Sequence, residues 1–152
     1  MTQSSARALK DRGGREVKHA GDGIMASFDD TAAAVQCARL IQQAFDAFNL
    51  ASSDKLRDRI GVDVGEPIAD TNDLFGTTVQ KAARLCQSAE PDGILVSRAV
   101  RDLLCGATEC RNLGARPLKG FEQPVRASFS GGRLCTASPW ALRGGVALHS
   151  VT

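Results

Sequence analysis

Gly21-Asp22-Gly23 lies between two short extended segments, residues 15–20 and 24–28. No other feature constrains the fold as strongly. Asp-Gly between such segments reads as a β-hairpin, because both central positions of the turn need positive φ. A hairpin this early commits the chain to a sheet, and the rest of the sequence must cover it. Residues 31–48 do so with apolar side chains at 34, 37, 38, 41, 45 and 48, one helical stripe. Asp29 or Asp30 is placed to cap that helix. Residues 57–69 read as a long strand in which Ile60, Val62 and Val64 alternate with Arg59, Gly61 and Asp63. Gly65-Glu66-Pro67 marks a bend in it, since proline cannot donate to a ladder. Asp70-Thr71-Asn72-Asp73 is a turn cluster.

A second helix is expected over 77–88, closed by Glu90-Pro91-Asp92-Gly93. Ile94–Val96 is a short buried-type strand, and Ser97 can cap a helix running to Leu104. Cys110–Leu113 and Val125–Phe129 complete the strands, and residues 1–14 read as a helix end closed at Gly13-Gly14. The order predicts an α+β sandwich, one domain over 1–130 with a sheet covered by helices. Residues 131–152 lack clear periodicity and are expected to be a weakly structured tail.

Bulk properties exclude several classes. A net charge of +2 does not call for a nucleic acid polymer or an anionic membrane. The five cysteines are scattered, form no CxxC pair and are accompanied by only two histidines, which argues against a zinc site or a disulfide framework. A reducing cytoplasm is the expected compartment. No apolar run approaches the roughly 20 residues of a membrane span, and the N-terminus lacks a signal-like stretch.

Few residues could carry chemistry. Asp22 at a hairpin apex can hold Mg²⁺ or simply satisfy the turn. Lys18 lies on the incoming strand, where alternation sets Val17 and His19 on the opposite face. Gln80 and Arg84 are four apart and share one face of the second helix, either as a surface pair or as an amide and a guanidinium facing one ligand. Asp73 could accept a hydrogen bond from a base or cap a turn. The thiols have no adjacent base to activate them.

In order along the chain stand Gly14-Arg-Glu-Val-Lys18-His-Ala-Gly-Asp22-Gly-Ile-Met-Ala-Ser-Phe28, Arg59-Ile-Gly-Val-Asp-Val-Gly-Glu66, Phe75-Gly-Thr-Thr-Val-Gln80-Lys-Ala-Ala-Arg84-Leu85, Gly93-Ile-Leu-Val-Ser97 and Leu118-Lys-Gly-Phe121. This set resembles the catalytic domain of the class III adenylate/guanylate cyclases. The resemblance implies a ferredoxin-like cyclase sandwich and conversion of ATP to 3′,5′-cyclic AMP and pyrophosphate. By the same resemblance, Lys18 and Asp73 read the adenine ring, Arg84 stabilises the transition state with the amide at Gln80 beside it, and Asp22 binds Mg²⁺ or Mn²⁺. The site would form between two protomers, as a homodimer or a heterodimer with another cyclase chain.

Two departures accompany it. The family's opening strand, which carries a second metal-binding aspartate next to the hairpin, has no counterpart in the few residues before Gly14. The expectation is therefore an N-terminally truncated domain with an incomplete metal site, an open sheet edge and weak or no activity alone. Gln80 stands where the family has asparagine, which moves the amide by one methylene. The alternative expectation is a non-catalytic regulatory module that pairs with an intact cyclase.

Overall fold

A computed structural model of the chain describes residues 3–20, 23–66, 68–70, 73–104, 110–120, 125–130 and 145–151. Helix α1 (Gln3–Asp11) ends where Gly14 N–H bonds the Leu9 carbonyl and Gly13 takes a φ of 69°. Strands β1 (Arg15–Ala20) and β2 (Gly23–Phe28) form the expected antiparallel hairpin. A bulge between Glu16 and Lys18 interrupts their alternation, so that Lys18 falls opposite Met25. Helix α2 (Thr31–Ala51) is capped by Asp30, whose carboxylate accepts from Ala32 N–H at 3.0 Å and Ala33 N–H at 3.2 Å. Asp29 instead faces Arg15 at the exposed surface.

The long strand expected over 57–69 is shorter. It comprises β3 (Asp58–Val64) and a separate two-stranded ribbon of β4 (Ile68–Asp70) and β5 (Asp73–Phe75). The break falls after Val64, at Gly65-Glu66. Helix α3 (Thr77–Ser88), strand β6 (Gly93–Ser97) and helix α4 (Arg98–Leu103) follow, the last capped by Ser97 Oγ. Strands β7 (Cys110–Arg116) and β8 (Val125–Ser130) pair antiparallel.

The last strand, β9 (Gly145–Val151), corrects the expectation of a weakly structured tail for these residues; the rest of the expected tail, 131–144 and 152, lies outside the described residues. The main sheet runs β1-β2-β9-β3-β6-β8-β7, so a segment from the end of the chain lies near its centre. β9 is antiparallel to both neighbours, and Ala147 falls between Ala26 of β2 and Val62 of β3. The edge of β2 expected to lie open is therefore paired. The hydrogen-bonding capacity of two flanking edges is what makes this weakly patterned segment a strand.

Helices cover both faces. Leu9 of α1, the buried stripe of α2, and Val100 and Leu104 at α4 enclose Ile24, Ala26, Phe28, Ile60, Val62, Ile94 and Val96 on one face. On the other, α3 packs Ala82 on Met25 and Leu85 on Leu95 and Leu118. The second cover buries Asp63, on the register that simple alternation assigns to solvent.

Asp58 is also buried, 1% exposed at the start of β3. The turn before β6 folds against it. Asp92, at φ 61°, donates its N–H to the Asp58 carbonyl at 2.6 Å and pairs with Arg57. Burial, then the nearby charge of Asp92, raises the Asp58 carboxyl from its usual range to about 7. The folded state thus keeps a proton that the unfolded chain has lost between about pH 4 and pH 7. Stability should fall as pH rises through that window and level off above it. Asp58→Asn is expected to flatten this slope and to stabilise the protein at pH 8 by roughly 1–3 kcal/mol. Urea unfolding from pH 4 to 8 checks it; an unchanged slope in the variant would assign the dependence to other groups.

Candidate active site

The candidate residues come from three elements that the fold draws together. Lys18 lies on β1, and β1 packs against β5, whose first residue is Asp73. Two positions distant in sequence, the cation and the carboxylate singled out above, therefore sit on touching strands. The register of β1 is irregular between Glu16 and Lys18, so simple alternation is interrupted at Val17. Val17 packs with Val79 against the buried Met25–Ala82 pair, on the α3 side of the sheet.

From β5 the chain enters α3 through Gly76, at φ 114° and ψ −179°. L side chains are essentially excluded from that region, so glycine is required to turn the strand directly into the helix. Gln80 follows in the first turn, with its N–H bonded to the Gly76 carbonyl at 3.1 Å. Its side chain is exposed. Arg84, one turn on, is half-buried and donates from Nη1 to Gln87 Oε1 at 2.7 Å. That bond occupies one of five guanidinium donors. Asp22 lies outside the described residues, although Ala20 pairing with Gly23 fixes a two-residue connection there.

Sequence reasoning passed over Asp63 as a site-supporting group. It lies on β3 beneath α3 and is 3% exposed. Burial pushes its carboxyl above the usual range, opposed by a hydrogen bond from Ser97, one from the Val64 backbone and the charge of Lys81. These partners belong to β6, β3 and α3, so one carboxylate ties together the elements under Gln80 and Arg84. An acid on an alternating strand gives no sequence signal of such a role, because its burial depends on where α3 lands. Among the described thiols Cys37 and Cys86 are buried, as expected, and burial raises the Cys37 thiol to about 11.

The metal question turns on donors. Among the described residues no three His, Cys, Asp or Glu side chains cluster as a metal site. Residues 145–151, beside the hairpin in the sheet, include no acidic residue. Asp22, the residue expected to meet a cation, lies outside the described residues.

The sequence profile of the adenylate and guanylate cyclase catalytic domain matches residues 3–130. The chain belongs to the adenylate/guanylate cyclase catalytic-domain family. A Rhizobium meliloti protein provisionally named adenylate cyclase 3 is 34% identical over 116 residues, 74% of this chain and 20% of that protein. The adenylate cyclase of Streptomyces coelicolor is 33% identical over 102 residues, 66% of this chain and 26% of its own. The chain therefore spans only a fifth to about a quarter of these two relatives.

Among solved structures, the adenylate/guanylate cyclase/hydrolase of Silicibacter pomeroyi superposes with a TM-score of 0.78 at 31% identity, covering 86% of this chain and 79% of that one. The adenylyl cyclase CyaB of P. aeruginosa shares the fold, with a TM-score of 0.69 at 21% identity over 88% of this chain and 80% of its own. The cyclase domain is thus a ferredoxin-like sandwich, as expected. No helix among its described residues is long and apolar enough to cross a membrane.

Proposed function

We propose that this chain is an adenylate cyclase-type domain that recognises ATP and supports its cyclization to 3′,5′-cyclic AMP and pyrophosphate. The observation that carries this reading is the packing of β1 on β5, with Lys18 on one strand and Asp73 on the other. An ammonium suits adenine N1 as acceptor, and a carboxylate suits the exocyclic amine as donor. Guanine presents the reverse polarity at those atoms. In the reaction the ribose 3′-oxygen loses its proton and attacks the α-phosphorus, and the bond to pyrophosphate breaks. Arg84 supplies planar donors to the charge on the phosphate oxygens, and Gln80 supplies an amide beside it. Asp22 is the residue that would hold a divalent cation, which would supply positive charge beside the phosphates.

One observation favours a second reading, a module that pairs with another cyclase chain. The strand beside the hairpin brings no carboxylate, while Lys18, Asp73, Gln80 and Arg84 are all present. Such a chain could lend its base-reading half to a partner that holds the metals.

One experiment separates the readings. The purified protein is assayed for cyclic AMP from Mg-ATP and Mn-ATP, alone and mixed with a cyclase chain whose metal carboxylates are intact but whose lysine, aspartate and arginine are replaced. Activity alone that Asp22→Ala abolishes supports the enzyme. Activity only in the mixture, lost with Lys18→Ala, supports the pairing module. No cyclic AMP in either arm, with no ATP binding by calorimetry, rejects both. A preference for GTP would reject the adenine assignment.

A further inference from the structure

The cyclase match ends at residue 130, yet the sheet is continuous only through residues 145–151. Without β9 the matched region offers two half-sheets, β1-β2 and β3-β6-β8-β7. Their facing edges, on β2 and β3, lie about 9–10 Å apart, the width that admits one strand. Both edges would present unpaired N–H and C=O groups in the interior, which is costly for each group left without a partner. α2 packs against β9 from one face and α3 from the other, so the gap is roofed on both sides.

We propose that the gap between β2 and β3 is a strand-acceptor site, and that its occupant is the separable, uncharged strand 145–151 of this chain. The register defines what the site accepts. Gly145, Ala147 and His149 fall opposite Phe28, Ala26 and Ile24 on β2, and opposite Val64, Val62 and Ile60 on β3. Ala26 and Val62 are 3% and 0% exposed, so the central position takes a small, neutral residue. The segment contains no Asp, Glu, Lys or Arg. Reach is not limiting. β8 and β9 are separated by β6 and β3, a lateral distance of about 14 Å at about 4.8 Å per strand. The connecting residues 131–144 can extend well over twice that distance, at about 3.3 Å per residue. Recognition is strand addition on two edges at once, main-chain hydrogen bonds giving affinity and the central small residue giving selectivity. It stands whether or not the chain turns over ATP.

The test uses the full chain carrying a protease site within 131–144. Native-state hydrogen exchange of the uncut protein should protect the amides of 146–150 as strongly as those of β3; exchange at unstructured rates overturns the proposal. The protein is then cut, unfolded in urea, separated from its 145–152 fragment and refolded, with reversible refolding of the uncut chain as control. Cooperative melting should return only when a synthetic peptide of residues 144–152 is added. Peptides carrying Leu148→Pro or Ala147→Asp should bind at least about 10-fold more weakly. Full refolding without peptide, no refolding with it, or equal binding of all three peptides would each defeat the idea.

Discussion

In any assembly of this chain that forms cyclic AMP, Arg84→Ala is expected to slow turnover about 100- to 1000-fold, the usual cost of removing one preorganised donor from developing charge. Affinity for ATP should change by less than about threefold, because the interaction strengthens mainly in the transition state. The melting temperature should hold: Arg84 is half-buried and its described bond is to Gln87, also on α3. Arg84→Lys keeps the charge but loses the planar fork, and should recover only part of the rate. Gln80→Asn should act in the other direction. The side chain is exposed, so shortening it leaves the core untouched. Drawing the amide back by about 1.5 Å is expected to raise turnover, by as much as about 100-fold. Steady-state kinetics of the three variants decide the matter. A full-rate Arg84→Ala protein would remove Arg84 from the chemistry, and a Gln80→Asn protein no faster than the parent would show that the extra methylene does not limit turnover.

Gly61→Ala is expected to destabilise the protein by about 3 kcal/mol, at the upper end of overpacking costs. A Cβ at Gly61 would fall inside the envelopes of the Ala82 carbonyl oxygen and the Cys86 amide nitrogen. Both are backbone atoms of α3, so no rotamer change relieves the clash; the whole helix must move. A drop of roughly 6–12 °C in melting temperature should follow for a domain of this size. Gly114→Ala provides the contrast. Nothing lies within 4 Å of the added carbon there, so only the positive φ of 77° is strained, a cost of about 1 kcal/mol. Equal effects at the two positions would show that helix contact does not limit Gly61. Because α3 carries Gln80 and Arg84, Gly61→Ala should also depress turnover at temperatures where the protein is still folded.

The hairpin, α2 and α3 were legible because their signals are local: an Asp-Gly turn, a 3.6-residue stripe and an Asp cap. The shortening of β3 and the separate β4–β5 ribbon follow from Gly65-Glu66-Pro67, which the sequence marks as a bend without showing that two new strands follow. β9 was not legible. Gly145–Val151 is short and has no contrast of polar and apolar positions, and it becomes a strand through edges supplied by residues more than 80 positions away. The site divides in the same way. Lys18, Asp73, Gln80 and Arg84 could be named from their motifs, whereas the packing of β1 on β5 depends on tertiary structure. Asp63 escaped notice because half-burial is the default for an alternating strand, and only the arrival of α3 on its second face changes that.

The packing of Val17 has a mechanical consequence. This residue, next to Lys18, rests on the Met25–Ala82 pair, and Ala82 lies midway between Gln80 and Arg84 on α3. The strand proposed to identify the base and the helix proposed to act on the phosphate therefore share one hydrophobic bearing. A displacement of either reaches the other, so a substitution at Lys18 that shifts β1 is expected to change turnover along with any nucleotide preference.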